Sequence, residues 1–189
     1  MFFRPKIRVE DFEAAALPHL PDLYRYAAML VRDSTEAEDL VQEVYLEAWK
    51  SFHRFEPGTN CRAWLFRILF HRLHRLRRKL AKLSQVEGFE SPAAEDNIVA
   101  EPAVPQDIRD EDILNALEKV PVDFREVVLM ADVEEFSYKE IAETMKVPVG
   151  TVMSRLSRGR KLLRQELAEV AQSYGIGRRE ATKREGESA

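Results

Sequence analysis

Leucines at positions 65, 69, 73, 76, 80 and 83 recur every three or four residues. Arg67, His71, His74, Arg75, Arg78 and Lys82 fall on the opposite side of the same stretch. That 3.6-residue period predicts one long amphipathic helix from about Cys61 to Leu83. The same spacing recurs in Leu20, Leu23, Tyr24, Ala27, Leu30 and Val31. Thr35 to Glu38 reads as a capping box opening a further helix to about Phe52. No alternating strand pattern and no internal repeat is visible. The chain is therefore expected to be all-α.

Charge divides the chain. The 189 residues carry a net charge of −4, which by itself argues against a polyanionic partner. The average conceals blocks. His53 to Lys82 holds nine Lys/Arg and one acid, Glu56. Glu87 to Asp112 holds nine acids and one base, Arg109. Val149 to Arg164 holds five bases and no acid. Two basic blocks flanking an acidic one suggest two contacts with one polyanion.

An apolar content of 45% suits a globular protein. No stretch approaches the roughly 18 apolar residues of a membrane span. No apolar run follows Arg4, Lys6 and Arg8, so no signal peptide is expected and a cytoplasmic location is. The single cysteine, Cys61, excludes a disulfide framework and a multi-thiolate metal site. His71 and His74 sit near Cys61 in sequence, but among arginines that repel a cation, so no metal is expected. No nucleophile–base pair or Gly-rich phosphate loop is present, so the sequence predicts neither an enzyme nor a small-molecule substrate or cofactor.

The stretch Ser84 to Gln106 loses periodicity and gathers Gly88, Pro92, Pro102 and Pro105 with the acids. It reads as a flexible acidic linker. The expected organisation is an N-terminal segment at 1–14, a helical domain at 15–84, a linker at 85–109, a second helical domain at 110–172 and a disordered tail at 173–189. In the second domain, Pro121 breaks the chain and Ser137-x-x-Glu140 is another capping box, opening a short helix to Met145. Lys146-Val147-Pro148 then joins that helix to a long one, which makes a helix-turn-helix. In the long helix Val152, Leu156, Gly159, Leu163, Leu167 and Val170 form one stripe. Thr151, Ser154, Arg158 and Lys161 oppose it, with Arg155 and Arg160 on the flanks. Short polar residues followed by arginines are what a helix needs to reach base edges and phosphates in a major groove.

In the first domain, Trp64 projects onto the basic side of its helix, where it either stacks on an unpaired base or buries against a neighbouring helix. Arg54, Phe55, Thr59 and Asn60 in the preceding loop add an aromatic ring and amide donors. The helix from Glu36 to Phe52 is expected to bury Ala37, Leu40, Val41, Val44, Ala48 and Phe52, and to turn Asp39, Gln42, Glu43, Leu46 and Lys50 outward. Leu46 sits in an acidic face where core packing asks for no leucine; with its neighbours it suits a docking patch for a basic protein.

Three runs together carry a resemblance. Ala37-Glu38-Asp39-Leu40-Val41-Gln42-Glu43-Val44-Tyr45-Leu46-Glu47-Ala48-Trp49 resembles the core-polymerase-binding helix of bacterial sigma factors. Cys61-Arg62-Ala63-Trp64-Leu65-Phe66-Arg67-Ile68 resembles their −10-element region. Tyr138-Lys139-Glu140-Ile141-Ala142, followed by Val147-Pro148-Val149-Gly150-Thr151-Val152-Met153-Ser154-Arg155-Leu156, resembles their −35-reading helix-turn-helix. Order and spacing match the two-domain extracytoplasmic-function (ECF) class over about residues 15 to 170.

The resemblance implies a subunit that binds RNA polymerase core at its clamp and flap and directs promoter-specific initiation. Asp39, Gln42, Glu43, Leu46 and Lys50 then face polymerase. Arg54, Phe55, Thr59, Asn60, Arg62, Trp64, Arg67, His71, Arg75 and Arg78 hold the melted −10 element. Tyr138, Lys139, Thr151, Ser154, Arg155, Ser157, Arg158, Arg160 and Lys161 read the −35 duplex or its phosphates. An anti-sigma factor is the implied regulator. Two residues depart from the family pattern: Lys146 replaces a turn glycine, and Met153 stands where a basic or polar residue is usual. The competing reading is a helix-turn-helix regulator that binds duplex DNA alone; such a protein has no use for the Leu46 face.

Overall fold

The computed structural model describes residues 8–31, 33–83 and 109–173. All regular elements among them are helical. In chain order they are α1 (Val9–Ala16), α2 (Leu20–Val31), α3 (Ser34–Ser51), α4 (Cys61–Leu83), α5 (Asp110–Lys119), α6 (Val122–Val128), α7 (Tyr138–Met145) and α8 (Val149–Ser173). A 3₁₀ turn at Leu17–His19 precedes α2, another at Phe52–Arg54 follows α3, and a π turn at Leu129–Val133 extends α6. The linker expected at 85–109 lies almost wholly outside the described residues, as do the expected tail and residues 1–7.

Two compact units result. The first holds α1 to α4 together with residues 134–149, and therefore α7. Its core includes the predicted α4 leucines Leu65, Leu69 and Leu73, together with Phe66, which lay outside that stripe; they are buried with Leu23 and Tyr26 of α2 and Val44 and Ala48 of α3. Leu76 continues the stripe in sequence but is exposed. The Tyr26 ring meets Phe66 edge-on at 5.3 Å, and Phe136 meets the same phenylalanine at 4.9 Å. Such edge-to-face pairs add to the burial of the rings themselves.

α1 was not foreseen from the sequence. Its single large buried side chain, Phe12, inserts among Tyr45, Trp49 and Phe52 at 5.2 to 6.3 Å between ring centres. The Tyr45 hydroxyl donates to the Ala16 carbonyl at 2.8 Å, tying the end of α1 to α3. The start of α3 also differs from expectation. Asp33 rather than Thr35 is the N-cap, its carboxylate accepting from the Glu36 backbone N–H at 2.9 Å. An ionised cap at a helix N-terminus satisfies an orphan donor and complements the helix dipole.

The second unit comprises residues up to 133 from α5 onward, and α8 from Gly150. Ala116, Leu117, Val120, Phe124, Val127, Val128, Leu129 and Met130 are buried, as are Val152, Leu156, Gly159 and Leu167 of α8. Gly159 has a steric reason: a Cβ there would lie 2.6 Å from Val128 Cγ2 and 3.1 Å from the Phe124 carbonyl oxygen. α8 approaches α6 closely because this position lacks a side chain.

Candidate nucleic-acid interface

On α3, Asp39, Gln42, Glu43, Leu46 and Lys50 all face solvent, with Leu46 51% exposed. Arg72 of α4 reaches across to this helix, its Nη1 donating to Glu43 at 3.0 Å and its Nε to Glu47 at 2.6 Å. A groove beside this bridge has Glu36, Asp39 and Glu43 on one wall, Arg75, Arg78 and Lys79 on the other, and Leu40 and Leu76 between them.

The loop before α4 is built for its turn. Gly58 has φ +87°, and Thr59 closes the turn by donating from Oγ1 to the Glu56 carbonyl at 2.7 Å. Asn60 is the N-cap of α4: its Oδ1 accepts from the Ala63 backbone N–H at 3.0 Å. Its amide nitrogen donates to Glu140 at 2.9 Å. Phe55 stacks on Phe52 at 5.5 Å, and Trp64 packs against Phe55 at 5.1 Å. Of the two readings the sequence left open for Trp64, ring packing within the protein is the one seen, although the residue stays half-exposed.

Arg62 is deeply engaged. Its Nε donates to Asp22 at 2.8 Å, its Nη1 to the Glu134 carbonyl oxygen at 2.8 Å, and its Nη2 to the Glu134 carboxylate. Its guanidinium also lies over the Phe136 ring at 4.5 Å. Arg25 completes the cluster, donating to the same carboxylate at 3.0 and 2.9 Å. Burial alone would raise the Asp22 carboxyl, but hydrogen bonds and charge from Arg62 and then Arg25 hold it below its ordinary value. Glu140 is likewise held low, chiefly by hydrogen bonding to Ser137 and further by Asn60 and Arg62.

Arg54, Arg67, Arg75 and Arg78 are exposed, and His71 is half-buried with its Nδ1 2.6 Å from the Arg67 carbonyl oxygen. Cys61 is buried, and burial pushes its thiol up, away from the reactive thiolate. Among the described residues no cluster of His, Cys, Asp or Glu could hold a metal.

α7 and α8 are joined by Lys146, Val147 and Pro148 as expected, with Lys146 left-handed at φ 56°, ψ 44°. Ser137 and Glu140 form the expected capping box. Tyr138, Lys139, Ser154 and Ser157 are exposed, while Thr151, Arg155, Arg158, Arg160 and Lys161 are half-exposed. Two of the flanking arginines meet acids that their helix does not carry: Arg155 lies 3.6 Å from Asp123, and Arg160 donates from Nε to Asp132 at 3.0 Å. Helical projection located these arginines but could not reveal partners on α6 and its π turn. The Asn60 cap was not read from the sequence, although Asn is a preferred N-cap just before a helix.

Comparison with known proteins gives this geometry a family. Residues 16–83 match Sigma-70 region 2, and residues 110–163 match Sigma-70, region 4. The chain is 33% identical over 163 residues to the ECF RNA polymerase sigma factor EcfG of Rhodopseudomonas palustris, covering 84% of this chain and 87% of that one. It is 37% identical over 166 residues to the ECF RNA polymerase sigma factor SigE of Mycolicibacterium smegmatis, covering 82% of this chain but 62% of that longer protein. Among solved structures, the sigma factor RpoE of Bartonella quintana, crystallised with the anti-sigma factor NepR, superposes with a TM-score of 0.69 at 32% identity. That match covers 85% of this chain and 98% of RpoE. No described helix is long and apolar enough to cross a membrane. With both sigma regions present in order, and every regular element among the described residues helical, the protein belongs to the ECF sigma factors, the RNA polymerase subunits that direct promoter-specific transcription initiation.

Proposed function

We propose that this chain divides promoter recognition among three surfaces. The α3 face of Asp39, Gln42, Glu43, Leu46 and Lys50 docks on the polymerase clamp. The loop before α4, with Arg54, Phe55, Thr59 and Asn60, and the basic side of α4, with Arg62, Trp64, Arg67, His71, Arg75 and Arg78, hold the melted −10 strand. Asn60 and Arg62 do so by exchanging Glu140 and Glu134 for the nucleic acid. Tyr138 and Lys139 of α7, with Thr151, Ser154, Arg155, Ser157, Arg158, Arg160 and Lys161 of α8, engage the −35 duplex and its phosphates. Along the sequence the first domain spans 15–84 and the second 110–172, with the acidic segment 85–109 between them, although residues 134–149 of the second group with the first compact unit here.

The observation that carries this reading is Leu46, an exposed leucine centred in an acidic helix face. A duplex reader acting alone gains nothing from it, whereas a basic protein partner buries it in a charge-complementary patch. No covalent chemistry is involved; strand separation is driven by binding. The protein works in the cytoplasm, where the polymerase is, under an anti-sigma factor. The relative crystallised with one supports that assignment.

The test is transcription by bacterial core polymerase on a genomic fragment library, with and without this protein. New starts sharing two spaced upstream motifs are expected. No new starts, with the protein still shifting duplex DNA unaided, would instead establish the stand-alone regulator.

A further inference from the structure

Met153 is 54% exposed on α8, a higher value than any other exposed large apolar side chain among the described residues. Val149, one turn earlier on the same helix, is 42% exposed. Residues 149 and 153 are four apart and so are neighbours on the helix surface. Ser154 and Ser157 beside them are also exposed, and the stretch from Val149 to Arg164 contains no acid. An exposed thioether beside hydroxyls and arginines adds no buried contact to this structure. It does match one mark in a DNA major groove. Thymine alone among the bases carries a C5-methyl group there, and apolar side chains recognise it by contact. Methionine, unbranched and polarisable, adapts readily to such a contact.

We propose that Met153 reads a thymine methyl in the −35 duplex, flanked by Val149, so that the element this protein prefers contains a thymine at the base pair beneath Met153. The inference rests on α8 entering the −35 groove. It adds an apolar specificity determinant to a face otherwise read as polar and basic. It also gives a role to one of the two residues at which this chain departs from the family pattern. A protein surface burying the same patch is the rival explanation. The five bases and no acid of the stretch from Val149 to Arg164 favour DNA, even with Asp123 and Asp132 of other elements paired to Arg155 and Arg160.

The experiment uses holoenzyme formed from bacterial core polymerase and the full chain. A promoter library with its upstream element randomised is selected for binding. Each thymine of the selected element is then replaced singly by uracil, which removes only the methyl group. For the unsubstituted protein, one replacement is expected to weaken binding about fourfold, the worth of one buried methyl. Met153→Ala should bind the thymine and uracil promoters equally, at the level the unsubstituted protein shows on uracil. Met153→Leu should retain much of the discrimination. An unchanged helical circular dichroism spectrum and unchanged dependence on the −10 sequence confirm that the variants are folded. Indifference to every thymine methyl, or discrimination that survives in Met153→Ala, would overturn the inference while leaving −35 reading intact. Selection that yields no preferred upstream element would overturn both.

Discussion

The carboxylate of Glu134 is fully buried and is shared by the guanidinium groups of Arg25 and Arg62. Arg62 also holds Asp22 and the Glu134 carbonyl oxygen, so one arginine ties α2, α4 and the residues preceding α7 within a single unit. A buried acid with two cationic partners retains most of its pairing energy only while all three remain in place.

Glu134→Ala should therefore destabilise this unit. Removing one member of a fully buried pair costs about 3–5 kcal/mol, but Arg25 and Arg62 are partly exposed and can rehydrate. A loss of about 2 kcal/mol is expected. Chemical denaturation of the purified protein measures it, and a change below about 0.5 kcal/mol would mean that the cluster is not a stabilising contact in solution.

Gly159→Ala should destabilise the second unit by about 1–3 kcal/mol, because the added methyl overlaps Val128 and crowds the Phe124 carbonyl. Val128→Ala opens space at one of those two contacts, so the double variant should lose less than the sum of the single losses. Additive losses in thermal unfolding would contradict the close α6–α8 approach.

Lys146 adopts the left-handed conformation that favours glycine. Lys146→Gly should stabilise the protein by about 1 kcal/mol, partly offset by the greater freedom of glycine in the unfolded chain. A clear loss of stability on urea titration would show that the lysine side chain has a compensating role.

Asp22 and Glu140 are both held below their ordinary values of 3.8 and 4.5. A depressed folded-state value means that the stabilisation is complete above the ordinary value and is lost as pH falls through the depressed one. Stability should therefore be flat on this account down to about pH 5 and fall below about pH 4. In Asp22→Asn the acid limb should be shallower. An equal slope in the two proteins, followed by tryptophan fluorescence, would exclude Asp22 from the acid response.

The parts of the fold that were legible in sequence have local causes. α4 begins and ends where its leucine period places it, and α7 opens on its Ser137–Glu140 box. α1 was not legible, because its stability comes from Phe12 entering rings that lie over thirty residues away, not from any periodicity of its own. The candidate site divides the same way. The exposed α3 face and the exposed serines of α8 follow from helical geometry. The acids facing Arg62, Arg155 and Arg160 come from other elements, and no helical projection of one segment reveals them. Trp64 shows the limit most plainly: its helix predicts its direction, but the Phe52–Arg54 turn that brings Phe52 and Phe55 against it is a tertiary fact.

The central claim is that α3 presents a polymerase-docking face through Leu46. Transcription from a mapped promoter, with core polymerase and either the unsubstituted protein or Leu46→Asp, tests it most directly. Leu46 is exposed, so the variant should fold normally. A charge at the centre of the patch should reduce both core binding and transcript yield at least tenfold, since hot-spot losses of 2 kcal/mol or more are typical there. Transcription by Leu46→Asp at the unsubstituted level would contradict the account and return the α3 face to ordinary surface.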